Sequence, residues 1–254
     1  MRKRRMALLH LLPIAGDIVY NQKLIEKAVK QAAKNNVDWI ITPELAVSGL
    51  QFSRKIGTDW INQQPDKWMS HFVDLVQSVN TTVFLGCPEK SESEDCYNSV
   101  FVINHNGHII GKQQKVTSIV DDWSTAGEQL EPIEIGDIKA GILICADSYT
   151  ANIADALAAK GAEILIAPSS WGKGLHGPNG EWEQRSKETR LPMFVCNRTG
   201  EDDTVSFWEA ESLVIKNGER LLSHQSRQSA ILTFDWDIEK MELLSSAFEV
   251  DWIN

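Results

Sequence analysis

AGILICADSYTANIADALAAKGAEILIAP, residues 140–168, is the stretch that decides the fold class. Its opening is a continuous apolar run that stops at Cys145. Residues 153–160 then place apolar side chains at helical spacing until Gly161 ends the pattern, and residues 163–167 form a second apolar run closed by Pro168. An apolar run, a helix and another apolar run in so short a length predict a strand–helix–strand unit. Runs without alternation predict strands buried on both faces, as in a sheet covered by helices.

The same alternation extends outward in both directions. Strands are predicted at 6–12, 37–42, 81–86, 97–104, 108–114, 133–135, 139–144, 193–197, 212–215 and 220–223. Helices are predicted at 21–35, 68–80 and 180–190, in addition to 153–160. Asn106-Gly107 and Asn217-Gly218 read as hairpin turns. With no internal repeat and no Gly/Ser linker, the expectation is one α/β domain over residues 1–254.

Bulk properties narrow the partners. A formal net charge of −10 argues against nucleic acid or an anionic membrane as the main partner, since both would be repelled. The one basic run, Arg2 to Arg5, precedes MALLHLLPIAG; Pro13 and His10 interrupt that apolar stretch, so it reads as a first strand rather than a secretion signal. No segment reaches the apolar length of a membrane span, and a soluble chain is expected. Cys87, Cys96, Cys145 and Cys196 form no paired motif, which suggests reduced thiols and a cytoplasmic location. The histidines offer no ligand spacing, so no metal is expected.

Three polar residues follow apolar runs at strand ends, where open α/β folds collect their chemistry: Glu44 in ITPEL, Lys115 in HIIGKQQK and Cys145 in AGILIC. Singly, each has a plain reading as a buried thiol, a helix cap or a solvated lysine. Together they are complementary. A thiol is a poor nucleophile at neutral pH unless a base takes its proton or a cation favours the thiolate. Glu44 suits the first task. Lys115, with the Ala146 backbone N–H, suits the stabilisation of an oxyanion.

The segments around these residues resemble the nitrilase superfamily of carbon–nitrogen hydrolases. The resemblance rests on VDWIITPELAVSGL, VFLGCPE, CYNSVFVINHNGHIIGKQQK, GILICAD, ALAAKGAEILIAPSSW and EQRSKETRLPMFVCNRTG, in the family's order. Gly16-Asp17 with Asn21 resembles the family's opening. The resemblance implies Glu44 as general base, Lys115 as stabiliser of the tetrahedral intermediate and Cys145 as nucleophile. It further implies a four-layer α-β-β-α sandwich, no cofactor, a small-molecule amide substrate, and a homodimer or larger homo-oligomer.

The chain also departs from its relatives. Many members carry a second glutamate after the lysine; KVTSIVDDWSTAG offers only Asp121 and Asp122 before Gly127, and Asp122 is the candidate replacement. CADSYT lacks the run that follows the cysteine in many amidases. Tyr149 and Trp171 are expected as pocket walls, and Arg185, Lys173 or Arg198 as partners for a substrate carboxylate. Carbamoyl hydrolysis, nitrile hydrolysis and acyl transfer use the same triad. A non-catalytic binding protein and a Cys145–His176 enzyme are the readings from other classes.

Overall fold

The computed structural model describes residues 2–117 and 122–253. Its first half runs β1 (Lys3–His10), α1 (Ile18–Ala33), β2 (Trp39–Ile41), α2 (Phe52–Ile56), α3 (Lys67–Ser78), β3 (Thr82–Lys90), β4 (Cys96–Ile103) and β5 (Ile109–Gln114). The second half runs β6 (Ile133–Ile135), β7 (Ile138–Ile142), a 3-10 turn (Cys145–Tyr149), α4 (Ala151–Ala159), β8 (Ile164–Pro168), α5 (Glu181–Thr189), β9 (Met193–Cys196), β10 (Ser212–Lys216) and β11 (Glu219–His224). Then β12 (Ala230–Asp237), β13 (Glu242–Leu243) and β14 (Glu249–Trp252) return the chain to the first sheet.

That first sheet has the order β13-β12-β1-β2-β3-β4-β5, with β14 also paired to β12; the second has the order β11-β10-β9-β8-β7-β6. In each, three consecutive parallel strands, β1-β2-β3 and β7-β8-β9, are joined by helices. Side-chain alternation along β1 sorts the layers. Ala7 and Leu9 pack with Ile25, Ala28 and Val29 of α1 and with Met69, Phe72 and Val76 of α3. Met6 and Leu8 face the other way, into a core shared with Ile166, Phe194 and Val214 of the second sheet, and that core continues to Leu157 of α4 and Trp182 of α5. The result is a four-layer α-β-β-α sandwich.

Local sequence explains the helix ends. Asp17 and Asp66 cap α1 and α3, accepting from Tyr20 N at 3.0 Å and Met69 N at 2.7 Å. Asn217 and Gly218, both at positive φ, close the β10–β11 hairpin. The basic run at the amino end lies in β1, where Lys3 and Arg5 pair with Asp235 of β12 at 2.7 and 3.4 Å. Among the described residues, no helix is long and apolar enough to cross a membrane.

Candidate active site

Two loops of the first sheet and two of the second meet at one edge of the sandwich. Glu44 lies three residues beyond the end of β2 and is fully buried. Its turn is held by Gly86 of β3, whose N–H donates to Thr42 Oγ at 2.8 Å. Lys115 directly follows β5, buried, with its N–H donating to Asn98 O at 2.8 Å. Cys145 opens the 3-10 turn after β7 at φ 50°, the left-handed region a non-glycine residue seldom adopts. Ser170 follows β8.

The Glu44 carboxylate organises these groups. Oε1 accepts from Lys115 Nζ at 2.8 Å and Asn98 Nδ2 at 2.9 Å; Oε2 accepts from Ser170 N at 3.1 Å. The Cys145 thiol lies close enough to the same carboxylate, to Lys115 and to the Ser170 backbone for each of them to act on its titration. Burial first, and then the Glu44 charge, push its pKa well up, while Lys115 and the Ser170 backbone pull it down. These influences favour the neutral thiol at rest, with a carboxylate beside it, over a stored thiolate. Ala146, next in the chain, is buried.

Tyr149 and Trp171 stand edge to face beside the turn, centroids 4.7 Å apart, and Trp171 packs in the same way on Trp182 at 5.1 Å. The Tyr149 hydroxyl and the Trp171 indole N–H both donate to the His176 carbonyl, which straps the loop after β8 across them. Burial first, and then the neighbouring Cys145, push the Tyr149 phenol's pKa up.

The Asp122 side chain is exposed, and among the described residues it has no hydrogen bond or ion pair with Glu44, Lys115 or Cys145. Its neighbour Trp123 packs on Phe52 at 4.8 Å, and Asp121 lies outside the described residues. Arg198 is wholly buried and committed to Asp202 at 3.1 Å and to the Pro13 carbonyl at 2.9 Å, so it is spent on the fold. Arg185 pairs with Glu188 at 2.9 Å and donates to the Tyr149 carbonyl at 3.4 Å. His176 is exposed and engages the site through its carbonyl. Cys87 and Cys196 are buried, Cys196 donating to the Ile41 carbonyl at 3.1 Å. Asn98, Ser170 and Asp147 are site residues the sequence reading did not assign, although each sits inside a segment it had singled out.

The carbon–nitrogen hydrolase family model matches residues 5–244, nearly the whole chain. The chain belongs to the carbon–nitrogen hydrolase family. Among its relatives, a Schizosaccharomyces pombe protein named as a probable nitrilase is 23% identical over 250 residues, covering 93% of this chain and 90% of that one. A citrullinase of Francisella tularensis is 25% identical, with 87% and 85% covered. A glutamine-dependent NAD(+) synthetase of Thermotoga maritima is 24% identical over 94% of this chain, which spans only 43% of that protein. Of solved structures, the nitrilase-superfamily member Nit3 of Saccharomyces cerevisiae superposes with a TM-score of 0.82 at 20% identity, covering 94% and 93% of the two chains. An amidase from Nesterenkonia sp. superposes at 0.81 and 20% identity, covering 92% and 90%. This carbon–nitrogen hydrolase thus carries its family's sandwich, with Glu44, Lys115 and Cys145 gathered at one edge.

Proposed function

We propose that the chain is a single carbon–nitrogen hydrolase domain that cleaves the C–N bond of a small amide through a thioester on Cys145. One observation carries this reading: a fully buried carboxylate, Glu44, is hydrogen-bonded to the Lys115 ammonium and lies near enough to the Cys145 thiol to shift its titration. Because the thiol is neutral at rest, its proton passes to Glu44 as sulfur attacks the carbonyl carbon. Lys115 Nζ and the Ala146 N–H hold the oxygen of the tetrahedral anion. The C–N bond then breaks, Glu44 returns the proton to the leaving ammonia or amine, and the acyl group stays on sulfur. Water, deprotonated by Glu44, hydrolyses the thioester, and the thiol recovers its proton.

Two further observations support the reading. A mutant of the Nesterenkonia sp. AN1 amidase shows Michael addition of acrylamide at its active-site cysteine, and that protein superposes on this chain with a TM-score of 0.80. Tyr149 and Trp171, set edge to face beside the Cys145 turn, suit an aromatic wall for a small acyl group. Four free cysteines fit a reducing, cytoplasmic setting, and sedimentation reads the homodimer or larger assembly that the proposal includes.

The test is ammonia release across small amides, ureido acids and nitriles, with Cys145→Ala as control. Turnover of an amide is expected, reduced at least about a thousandfold in the variant. Hydroxylamine should divert the acyl group to a hydroxamate. An amide still turned over at the parent rate by Cys145→Ala would sink the mechanism.

A further inference from the structure

The mechanism makes no use of Asp147, yet this fully buried carboxylate lies two residues after the nucleophile. Its Oδ1 accepts from Val116 N at 3.1 Å and Thr117 N at 2.7 Å, and its Oδ2 accepts from Ile144 N at 3.0 Å. Its own N–H donates back to Ile144 O at 3.0 Å. The three donors are not arbitrary backbone. Val116 and Thr117 directly follow Lys115, and Ile144 directly precedes Cys145.

Lys115 belongs to the first sheet and Cys145 to the second, on strands that are not neighbours. Nothing in either sheet's hydrogen-bond ladder fixes the distance between ammonium and sulfur. One carboxylate spanning both segments does. It also holds Ile144 at the entry to a residue kept at φ 50°, a conformation that persists only where the surroundings over-determine it. Burial is the largest influence on the Asp147 carboxyl and pushes its pKa up, against the Thr117 and Ile144 N–H groups and Lys115.

We propose that Asp147 is a positioning residue which, by bridging the backbone after Lys115 to the backbone before Cys145, sets the ammonium and the thiol at reacting distance. The inference rests on the reading of Cys145 as nucleophile, but it has a readout that needs no substrate. Asp147→Asn keeps the shape and replaces one acceptor by an N–H₂ group; Asp147→Glu keeps the charge and moves both oxygens by a methylene.

The experiment measures, in both variants, the rate of Cys145 alkylation by iodoacetamide, located by peptide mass, together with thermal melting, kcat and KM. Two variants ensure that one folded protein is available even if the other is not. Alkylation of Cys145 at least about tenfold slower in a variant folded at the assay temperature is expected. On any amide that the parent hydrolyses, kcat should fall by a similar factor with KM within about twofold, and Asp147→Glu should retain more activity than Asp147→Asn. Cys145 alkylated at the parent rate in a folded variant overturns the proposal, including the case in which only the melting temperature falls. If the parent hydrolyses no amide, the functional reading fails while the alkylation comparison still decides the role of Asp147.

Discussion

Cys145 holds a side chain where glycine would be at ease. At an ordinary position, alanine is more stable than glycine by about 0.5–1 kcal/mol, because glycine loses more backbone freedom on folding. At φ 50° the left-handed conformation costs an L-residue about 1–2 kcal/mol. Cys145→Gly is therefore expected to unfold in urea at a midpoint equal to or above that of Cys145→Ala. An alanine variant more stable by a full ~1 kcal/mol would show that no strain is held at Cys145. The sequence made Glu44, Lys115 and Cys145 legible because each ends an apolar run. It did not assign Asn98 or Ser170, whose contacts with Glu44 join positions 54 and 126 residues apart. Residue type can be read locally; which backbone N–H lies opposite a carboxylate depends on how two sheets dock.

Among the elements, β3 shows how a strand sets the turn that carries Glu44. A Cβ on Gly86 would lie 2.3 Å from the Pro43 carbonyl and 2.9 Å from Leu45 N, the two neighbours of Glu44. Gly86→Ala is expected to lose about 1–3 kcal/mol by overpacking and to lower kcat, because relief of the clash displaces the Glu44 turn. Urea unfolding and ammonia release check both parts, and a variant with parent-like turnover would show that the turn tolerates the shift. Most elements were readable from periodicity, with ends moved by a few residues. β12 was not, since AILTFDWD carries Asp235 and Asp237 in a strand between β1 and the edge. Its acidic position makes sense only beside the basic run of β1, where Asp235 answers Lys3 and Arg5. The short α2 and the 3-10 turn carry too few residues to show a period.

In the whole molecule, the two halves repeat one plan: three parallel strands with helical crossovers, then an antiparallel hairpin. Periodicity revealed strands without revealing this correspondence, because pairing order is not written in any one window. His10, at the end of β1, stitches the halves through Nδ1 to Ser212 Oγ of β10 at 3.0 Å. Burial, and then the facing His224, push its pKa down to about 3. Unfolded histidine titrates near 6.5, so below that pH the unfolded chain takes up a proton that the folded one refuses. Stability is held above about pH 6.5 and lost as pH falls towards 3, by about 1.4 kcal/mol per pH unit from this residue. Urea unfolding at pH 6.5 and 5 should show a loss of about 2 kcal/mol that His10→Asn largely removes. An equal loss in the variant would place the acid sensitivity elsewhere.

Glu44 and Lys115 come from one sheet, and Cys145 and Ser170 from the other. In the proposed mechanism neither half owns a complete proton path, so a chain with both sheets formed but undocked is expected to be chemically silent. On that mechanism turnover is a census of molecules whose halves have closed on each other in correct register, and it would count them when measures of secondary structure can no longer tell them apart.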